Sequence, residues 1–371
     1  MKTKIVALLA FCMALSCSAL CAQVPASRID AIFAELKSAT APGAAVLVIR
    51  NGKPVFRRGY GVTDLRTLHR IDAQTNFRLA SFTKQFTAMC IMLLAHDGKL
   101  RYDDHLPDIF PEFPQYGRSI TVRNLLNHTG GLPDYEDLWT AQHPGTPEEQ
   151  IPQIHDAQVL KIPEQQSAGK FPAGSRWEYS NSGYVVLGLI VQKVSGEPFG
   201  EFLHERIFVP LKMNHTVAYE KGKNEVRRRA YGHTKEKDGW RETDQSPTSA
   251  TLGDGGIYTS LDDLLEWDAA LRAHTLLSEA EMQPALIPVQ PTAGPATNED
   301  GKAVSYGFGW FLDPYRGHKR MYHDGDTIGF RTTIQRFTDD KLTIIVLANR
   351  TDIDPSAMAL KVADLYFEGK Q

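Results

Sequence analysis

Apolar and polar residues fall into blocks whose spacing changes along the chain. Residues 43–50 carry a near-continuous apolar run, Asn51-Gly52 is a turn signal and residues 55–62 return from it, which predicts a hairpin with a buried first strand. Before it, Ile29, Ile32, Phe33 and Leu36 mark a short amphipathic stretch. From Phe82 the period becomes helical: Phe86, Met89, Cys90, Leu93 and Leu94 share one face until Asp97-Gly98 stops it, so Ser81 falls at a helix N-terminus.

From about residue 104 to 250 prolines and loops surround helical patterns at 122–128, 184–194 and 199–207. Ser260-Leu-Asp-Asp263 resembles a capping box opening a helix over 261–271, and a Pro-rich loop follows at 284–301. Strands are then predicted at 306–312, 330–337 and 342–348, the last two joined by the turn 338–340, and a final helix at 356–367 behind Asp354-Pro355. Strands at both ends with helices between predict an α+β fold. One antiparallel sheet is built from both chain ends and flanked by helices (α/β part about 23–103 and 251–371), with an inserted, mainly helical domain at about 104–250.

Length and composition add compartment and partners. With 42% hydrophobic and 23% charged residues over 371 positions, the chain has material for a sizeable core and lies in the ordinary range of folded soluble proteins. Its start, with Lys2 and Lys4, an apolar run at 5–15 and then small residues, has the plan of a secretory signal peptide and is too short to span a membrane. Cleavage is expected after Ala22, with Cys21 as the alternative, and the mature chain is expected to be exported, to the periplasm. Lipoprotein processing at Cys17 is the minor alternative, on a loose match.

Cys12, Cys17 and Cys21 lie in that leader, so the mature chain keeps Cys90 alone, read as a small buried hydrophobe, and forms no internal disulfide. Removing residues 1–22 takes two lysines and no acid and moves the formal charge from −3 to −5, which argues against nucleic acid or an anionic membrane as partner. The basic run Arg227-Arg228-Arg229 has acids nearby and reads as a solvated face. The sequence leaves the oligomeric state open.

The candidate chemistry starts at Ser81-x-x-Lys84. Three apart on a helix, the amine can reach the hydroxyl, and a serine is a weak nucleophile unless something takes its proton. Lysine does so only where burial or nearby positive charge keeps part of it neutral. Ser167-Ala-Gly-Lys170 has the same spacing but is followed by Phe-Pro and contains glycine, so it reads as a loop without fixed geometry. Downstream, Tyr179-Ser-Asn181 precedes a buried helix, and His323-Asp324-Gly325 precedes the strand at 330–337. Taken singly, Tyr179 could be a packing aromatic and Asn181 a helix N-cap. His128 reads as structural, its imidazole fixing a loop. No His-Glu-x-x-His or Cys-x-x-Cys pattern occurs.

The order Ser-x-x-Lys, Tyr-x-Asn, His-x-Gly resembles that of the penicillin-recognising serine hydrolases, in their class C β-lactamase, DD-peptidase and esterase branch. Residues 120–133 and 255–264 also resemble stretches of that family, so the likeness spans nearly the whole mature chain. The resemblance implies that Ser81 is acylated, that Lys84 handles its proton and that Tyr179 relays a proton to the leaving group. It further implies that Asn181 bonds the substrate, that His323 on a strand edge helps orient Tyr179 and substrate, and that the N–H groups of Ser81 and Asp326, after Gly325, form the oxyanion hole. No metal or organic cofactor is implied.

Class C β-lactamases carry lysine where this chain has His323, and a neutral imidazole lacks the charge a penicillin carboxylate would meet, which puts lactam hydrolysis in doubt. Arg331 is a compensating cation whose facing the sequence leaves open. The expected function is therefore cleavage of an amide or ester in a small-molecule or peptide substrate, of D-Ala-D-Ala type or a small ester. A class C-like β-lactamase and a catalytically silent peptidoglycan-ligand or partner-binding protein are the alternatives.

Overall fold

A computed structural model of the protein describes residues 24–368; the leader expected at residues 1–22 lies outside them. Ten strands are present among the described residues. β1 (Ala44–Arg50), β2 (Lys53–Tyr60), β8 (Met321–Thr327), β9 (Phe330–Phe337) and β10 (Leu342–Ala348) form one antiparallel sheet in the order β2-β1-β10-β9-β8. β3 (Phe77–Arg78), β4 (Val217–Ala218) and β7 (Ile257–Thr259) form a second small sheet, and β5 (His233–Glu236) and β6 (Gly239–Glu242) a separate hairpin.

The apolar run of β1 has a direct cause, since it is a central strand covered on both faces. Ala45, Leu47 and Ile49 point into the larger core with the helix Lys84–His96, while Ala44, Val46 and Val48 point to the opposite face. There they meet the terminal helices Ala26–Ile32 and Pro355–Phe367. β10, paired with β1 through Ala44↔Ala348 to Arg50↔Leu342, divides its side chains in the same way. Residues 44–60 and 321–348, remote in the chain, are thereby locked into one sheet.

The helix Leu261–Ala273, capped by Ser260, is tied to that sheet by a buried ion pair between Asp268 and Arg336 at 2.8 Å. Between β3 and β7 lie the helices expected for the insertion, Val122–Leu126, Asn181–Ser195 and Phe199–Leu203 among them. The last continues into a π-helical turn, His204–Phe208.

Two expectations are corrected. Residues 306–312 are not a strand: Tyr306 bridges back to Phe311 around a bend in which Gly309 has φ +74°. The β5-β6 hairpin lies inside a stretch expected to be helical. Lys235, Glu236, Arg241 and Glu242 are all exposed there as adjacent pairs, so no alternating pattern advertises the two strands.

Edge strand β8 runs beside the turn that carries Ser81. Gly325 on β8 lies so close to that turn, just before the Lys84–His96 helix, that an added Cβ would fall 2.0 Å from the Leu79 carbonyl oxygen and 2.3 Å from Thr332 Oγ1. Thr332 Oγ1 also donates to Leu79 O at 2.8 Å, so sheet and turn are joined just two residues before Ser81. Gly325→Ala must push backbone from backbone. It is expected to destabilise the fold by roughly 1–3 kcal/mol, read as a lowered thermal midpoint, and to impair any chemistry at Ser81 with it.

Candidate active site

Ser81 lies in a 3₁₀ turn, Ala80–Thr83, that runs directly into the helix Lys84–His96. The helix thus starts later than the apolar pattern suggests, and Ser81 and Lys84 straddle the junction. Ser81 is half-buried, whereas Lys84 is fully buried. A buried ammonium is expensive unless each N–H finds an acceptor. Three do: Ser81 Oγ at 3.0 Å, Asn181 Oδ1 at 2.7 Å and the backbone oxygen of Asp254 at 3.0 Å. The Tyr179 ring adds its face, with its centroid 4.9 Å from Nζ.

Each acceptor is delivered by a separate segment. Asn181 is the first residue of the helix Asn181–Ser195, and the N-cap is Ser180, whose side chain accepts from Gly183 N. Capping therefore does not occupy the Asn181 amide, which is free to reach Lys84. Ser182, next in the helix, donates to Pro133 O at 2.8 Å and accepts from Tyr135 N at 2.9 Å, fastening this end to the loop before the helix Tyr135–Ala141. The Asp254 carbonyl arrives because Gly253 passes against the helix: a Cβ there would meet Tyr184 O at 2.3 Å. Thr87 Oγ1 holds that crossing by donating to Gly253 O at 2.6 Å.

Tyr179 is set by His128, the residue read from sequence as fixing a loop. The His128 carbonyl accepts from Glu178 N at 3.0 Å and its Nδ1 accepts from Ser180 N at 3.1 Å, so both neighbours of Tyr179 are clamped by one residue, held at φ +61°. Burial pushes the His128 imidazole well below its ordinary pKa, with Lys84 adding to the shift, which keeps Nδ1 an acceptor. The Tyr179 hydroxyl makes no hydrogen bond among the described residues and so is available to a ligand.

His323 differs from expectation. It is 1% exposed, with Nδ1 bonded to Asp324 O at 2.7 Å and Nε2 paired with the Tyr306 hydroxyl at 3.2 Å. Burial, with Lys84 second, lowers its pKa to about 3, so it stays neutral at working pH. Neither nitrogen is available to a substrate; the ring packs beside Tyr179, centroids 6.2 Å apart. Arg331 is likewise engaged, donating to Thr327 O and Phe330 O and pairing with Asp326 at 2.6 Å. Asp326 lines the cleft that contains Ser81, at the end of edge strand β8. The decoy Ser167 and Lys170 lie in a loop, where Lys170 pairs with Glu178 instead.

Sequence reading missed Glu136, Tyr135 and Asp254. Asn181 Nδ2 donates to Glu136 Oε2 at 3.2 Å, and the Tyr135 hydroxyl donates its one proton to Asp254 Oδ2 at 2.9 Å, with Glu136 Oε1 3.4 Å from the same oxygen. Burial, then Asp254 and Asp134, push the Glu136 carboxyl up to about 7. The available signal was the Asp134 N-cap, which accepts from Glu136 N at 2.8 Å and starts a helix beside the Gly131-Leu-Pro133 turn.

Comparisons with known proteins identify the family and the fold. A family profile described as Beta-lactamase matches residues 29–366. A penicillin-binding protein of Bacillus subtilis (strain 168) is 30% identical over 333 residues, covering 86% of this chain and 71% of that protein. Among solved structures, D-amino acid amidase from Ochrobactrum anthropi SV3 superposes with TM-score 0.75 at 24% identity, over 92% of this chain and 97% of the amidase. The octameric penicillin-binding protein homologue from Pyrococcus abyssi gives TM-score 0.77 at 24% identity, over 92% and 77%. At these identities the superpositions establish the fold alone.

Behind the site, Asp156 accepts from Leu252 N at 3.0 Å, and burial, with Asp254 also contributing, pushes its carboxyl from 3.8 up to about 7. Because the folded pKa is raised, the folded state keeps a proton that the unfolded chain releases. The stabilisation is complete below about pH 4 and is lost as pH rises through 7. Asp156→Asn should therefore gain thermal midpoint relative to the unaltered protein on going from pH 5 to pH 8, measured by melting both in matched buffers.

Proposed function

This chain belongs to the beta-lactamase family of serine hydrolases, and on that footing we propose that Ser81 forms an acyl-enzyme with the amide or ester carbonyl of a D-amino-acid derivative. One observation carries the reading: the fully buried Lys84 amine lies 3.0 Å from Ser81 Oγ, with its other two contacts on fixed acceptors. In its neutral form Lys84 keeps two N–H on Asn181 and Asp254 and turns its Nζ lone pair to the Ser81 O–H. Oγ then attacks the carbonyl carbon, and its proton passes to Nζ.

The developing oxyanion would lie between the N–H groups of Ser81 and Asp326, on the turn and the sheet edge that Gly325 brings together. Collapse breaks the bond to the leaving group, which takes the proton of the Tyr179 hydroxyl while Lys84 returns its extra proton to that oxygen; water then attacks the acyl carbon, passes one proton to Ser81 Oγ and releases the acid. Tyr179 also borders a cleft of about 770 Å³ with Trp177, Phe311 and Tyr322, where a sizeable leaving group fits. The D-configured substrate rests on relatives whose own descriptions are penicillin-binding protein and D-amino acid amidase. The β-lactamase alternative is less supported, because His323 is neutral and buried where a carboxylate would need a cation.

Export is part of the proposal; among the described residues no helix is long and apolar enough to cross a membrane. N-terminal sequencing of the secreted or periplasmic protein would test it, Gln23 being the expected first residue and an intact Met1 the contrary result.

The mechanism is tested by labelling the purified protein with a fluorophosphonate. The unaltered protein should label once and Ser81→Ala not at all; labelling that survives the substitution removes Ser81 from the nucleophile's role. Lys84→Met should keep the fold and lower kcat by about 10²- to 10⁴-fold, measured on whichever substrate turns over.

A further inference from the structure

Ser81 shares a small cleft, about 40 Å³, with Glu136, Asn181, Asp254, Asp326 and Arg78. Its electrostatics are unusual for a site expected to meet peptide or lactam carboxylates. Lys84 has its three acceptors, Arg331 is held by Asp326 and two carbonyls, and His323 is neutral. Arg78, 3% exposed, donates Nε to Gly255 O and Nη2 to Ser249 O, and its Nη1 has no partner among the described residues.

Two carboxylates in the same wall have no cation paired with them among the described residues. Glu136 accepts from one neutral donor, Asn181 at 3.2 Å, while the Tyr135 hydroxyl 3.4 Å away gives its proton to Asp254. Asp254, 6% exposed, accepts from Tyr135 through Oδ2 while its Oδ1 has no partner. Partly buried acids without a paired cation are costly, and a ligand ammonium is the complement that offsets the cost.

Building on the reading that Ser81 is the nucleophile, we propose that Glu136 selects substrates with a free ammonium on the carbon next to the scissile carbonyl, Asp254 adding to the field. The substrate class is then aminoacyl amides and esters with an unblocked amine and a small side chain. The small cleft volume has room for an ammonium and few further atoms, whereas the leaving group has the much larger cleft beyond Tyr179. N-acylated substrates, penicillins and acylated D-Ala-D-Ala peptides among them, present a neutral amide to two carboxylates and bind poorly.

The test compares D-alanine p-nitroanilide with N-acetyl-D-alanine p-nitroanilide. The unaltered protein should favour the free amine by about 100-fold in kcat/KM, carried mainly by KM, and Glu136→Gln should bring that ratio towards one. Around Glu136 stand Asp254, Asp134, Tyr135, Asn181 and Lys84, and the first two raise its proton affinity. KM for the amine substrate should accordingly rise as pH falls below 7, and this slope should be absent in Glu136→Gln.

A readout independent of turnover and of any variant is protection: D-alaninamide should slow fluorophosphonate labelling of Ser81, and N-acetyl-D-alaninamide should not. Equal rates for the two anilides, or a preference that survives Glu136→Gln, overturns the proposal. So does better protection by a carboxylate-bearing ligand, which would point to Arg78 Nη1 instead. Protection by neither amide also overturns it while leaving Ser81 labelling intact, whereas absence of labelling overturns the reading of the nucleophile itself.

Discussion

The whole arrangement depends on burying one lysine. An ammonium with no solvent contact needs three acceptors, and no single helix can supply them, because its own carbonyls are engaged in its own hydrogen bonds. Lys84 takes one from the turn before it, one from the start of the Asn181–Ser195 helix and one from the backbone at Asp254. Those three segments are far apart in the chain. The sheet that joins residues 44–60 to 321–348 and the close crossing at Gly253 bring them to one point, and the serine hydroxyl is held there as one of the lysine's own acceptors.

Around that point the protein has arranged charge asymmetrically. The cations near Ser81 are internally satisfied or nearly so, while Glu136 and Asp254 face the same small cleft without a paired cation among the described residues. His323, expected on a strand edge to help orient Tyr179 and substrate, is neutral and packed among aromatic rings. In the proposed selectivity, this distribution turns the pocket away from carboxylate-bearing ligands and towards amines. A second histidine, His128, contributes through its backbone and ring alike, fixing the flanks of Tyr179 rather than meeting any ligand.

Features legible in the sequence are those that leave a local trace. The strands Phe330–Phe337 and Leu342–Ala348, and the helix caps at Ser260 and Asp354, are written in periodicity and short polar signals. Ser81, Lys84, Tyr179 and Asn181 stand in ordered motifs, and three of these four meet by hydrogen bonds while Tyr179 adds its ring face. The Asp254 contact left no trace, since any residue at that position offers the same backbone oxygen. The motif around His323 gives a strand position but not which neighbours occupy its nitrogens. Glu136 was passed over because its importance arises only from Asn181 and Asp254, remote in sequence. The bend at residues 306–312 looked like a strand because Tyr306, Phe308, Trp310 and Leu312 alternate in sequence, whereas Tyr306 and Phe311 pack with Trp177 and Tyr179 while Phe308 and Trp310 join the main core.

In the proposed mechanism the lysine-held Ser81 hydroxyl is the atom that becomes acylated. Rapid acid quench of the protein turning over a D-alanyl ester, followed by digestion and mass spectrometry, tests it directly. The expected result is a transient adduct of one alanyl mass on the peptide containing Ser81, accumulating before steady state. Turnover that proceeds with no adduct on that peptide, or with the adduct on another residue, would contradict it.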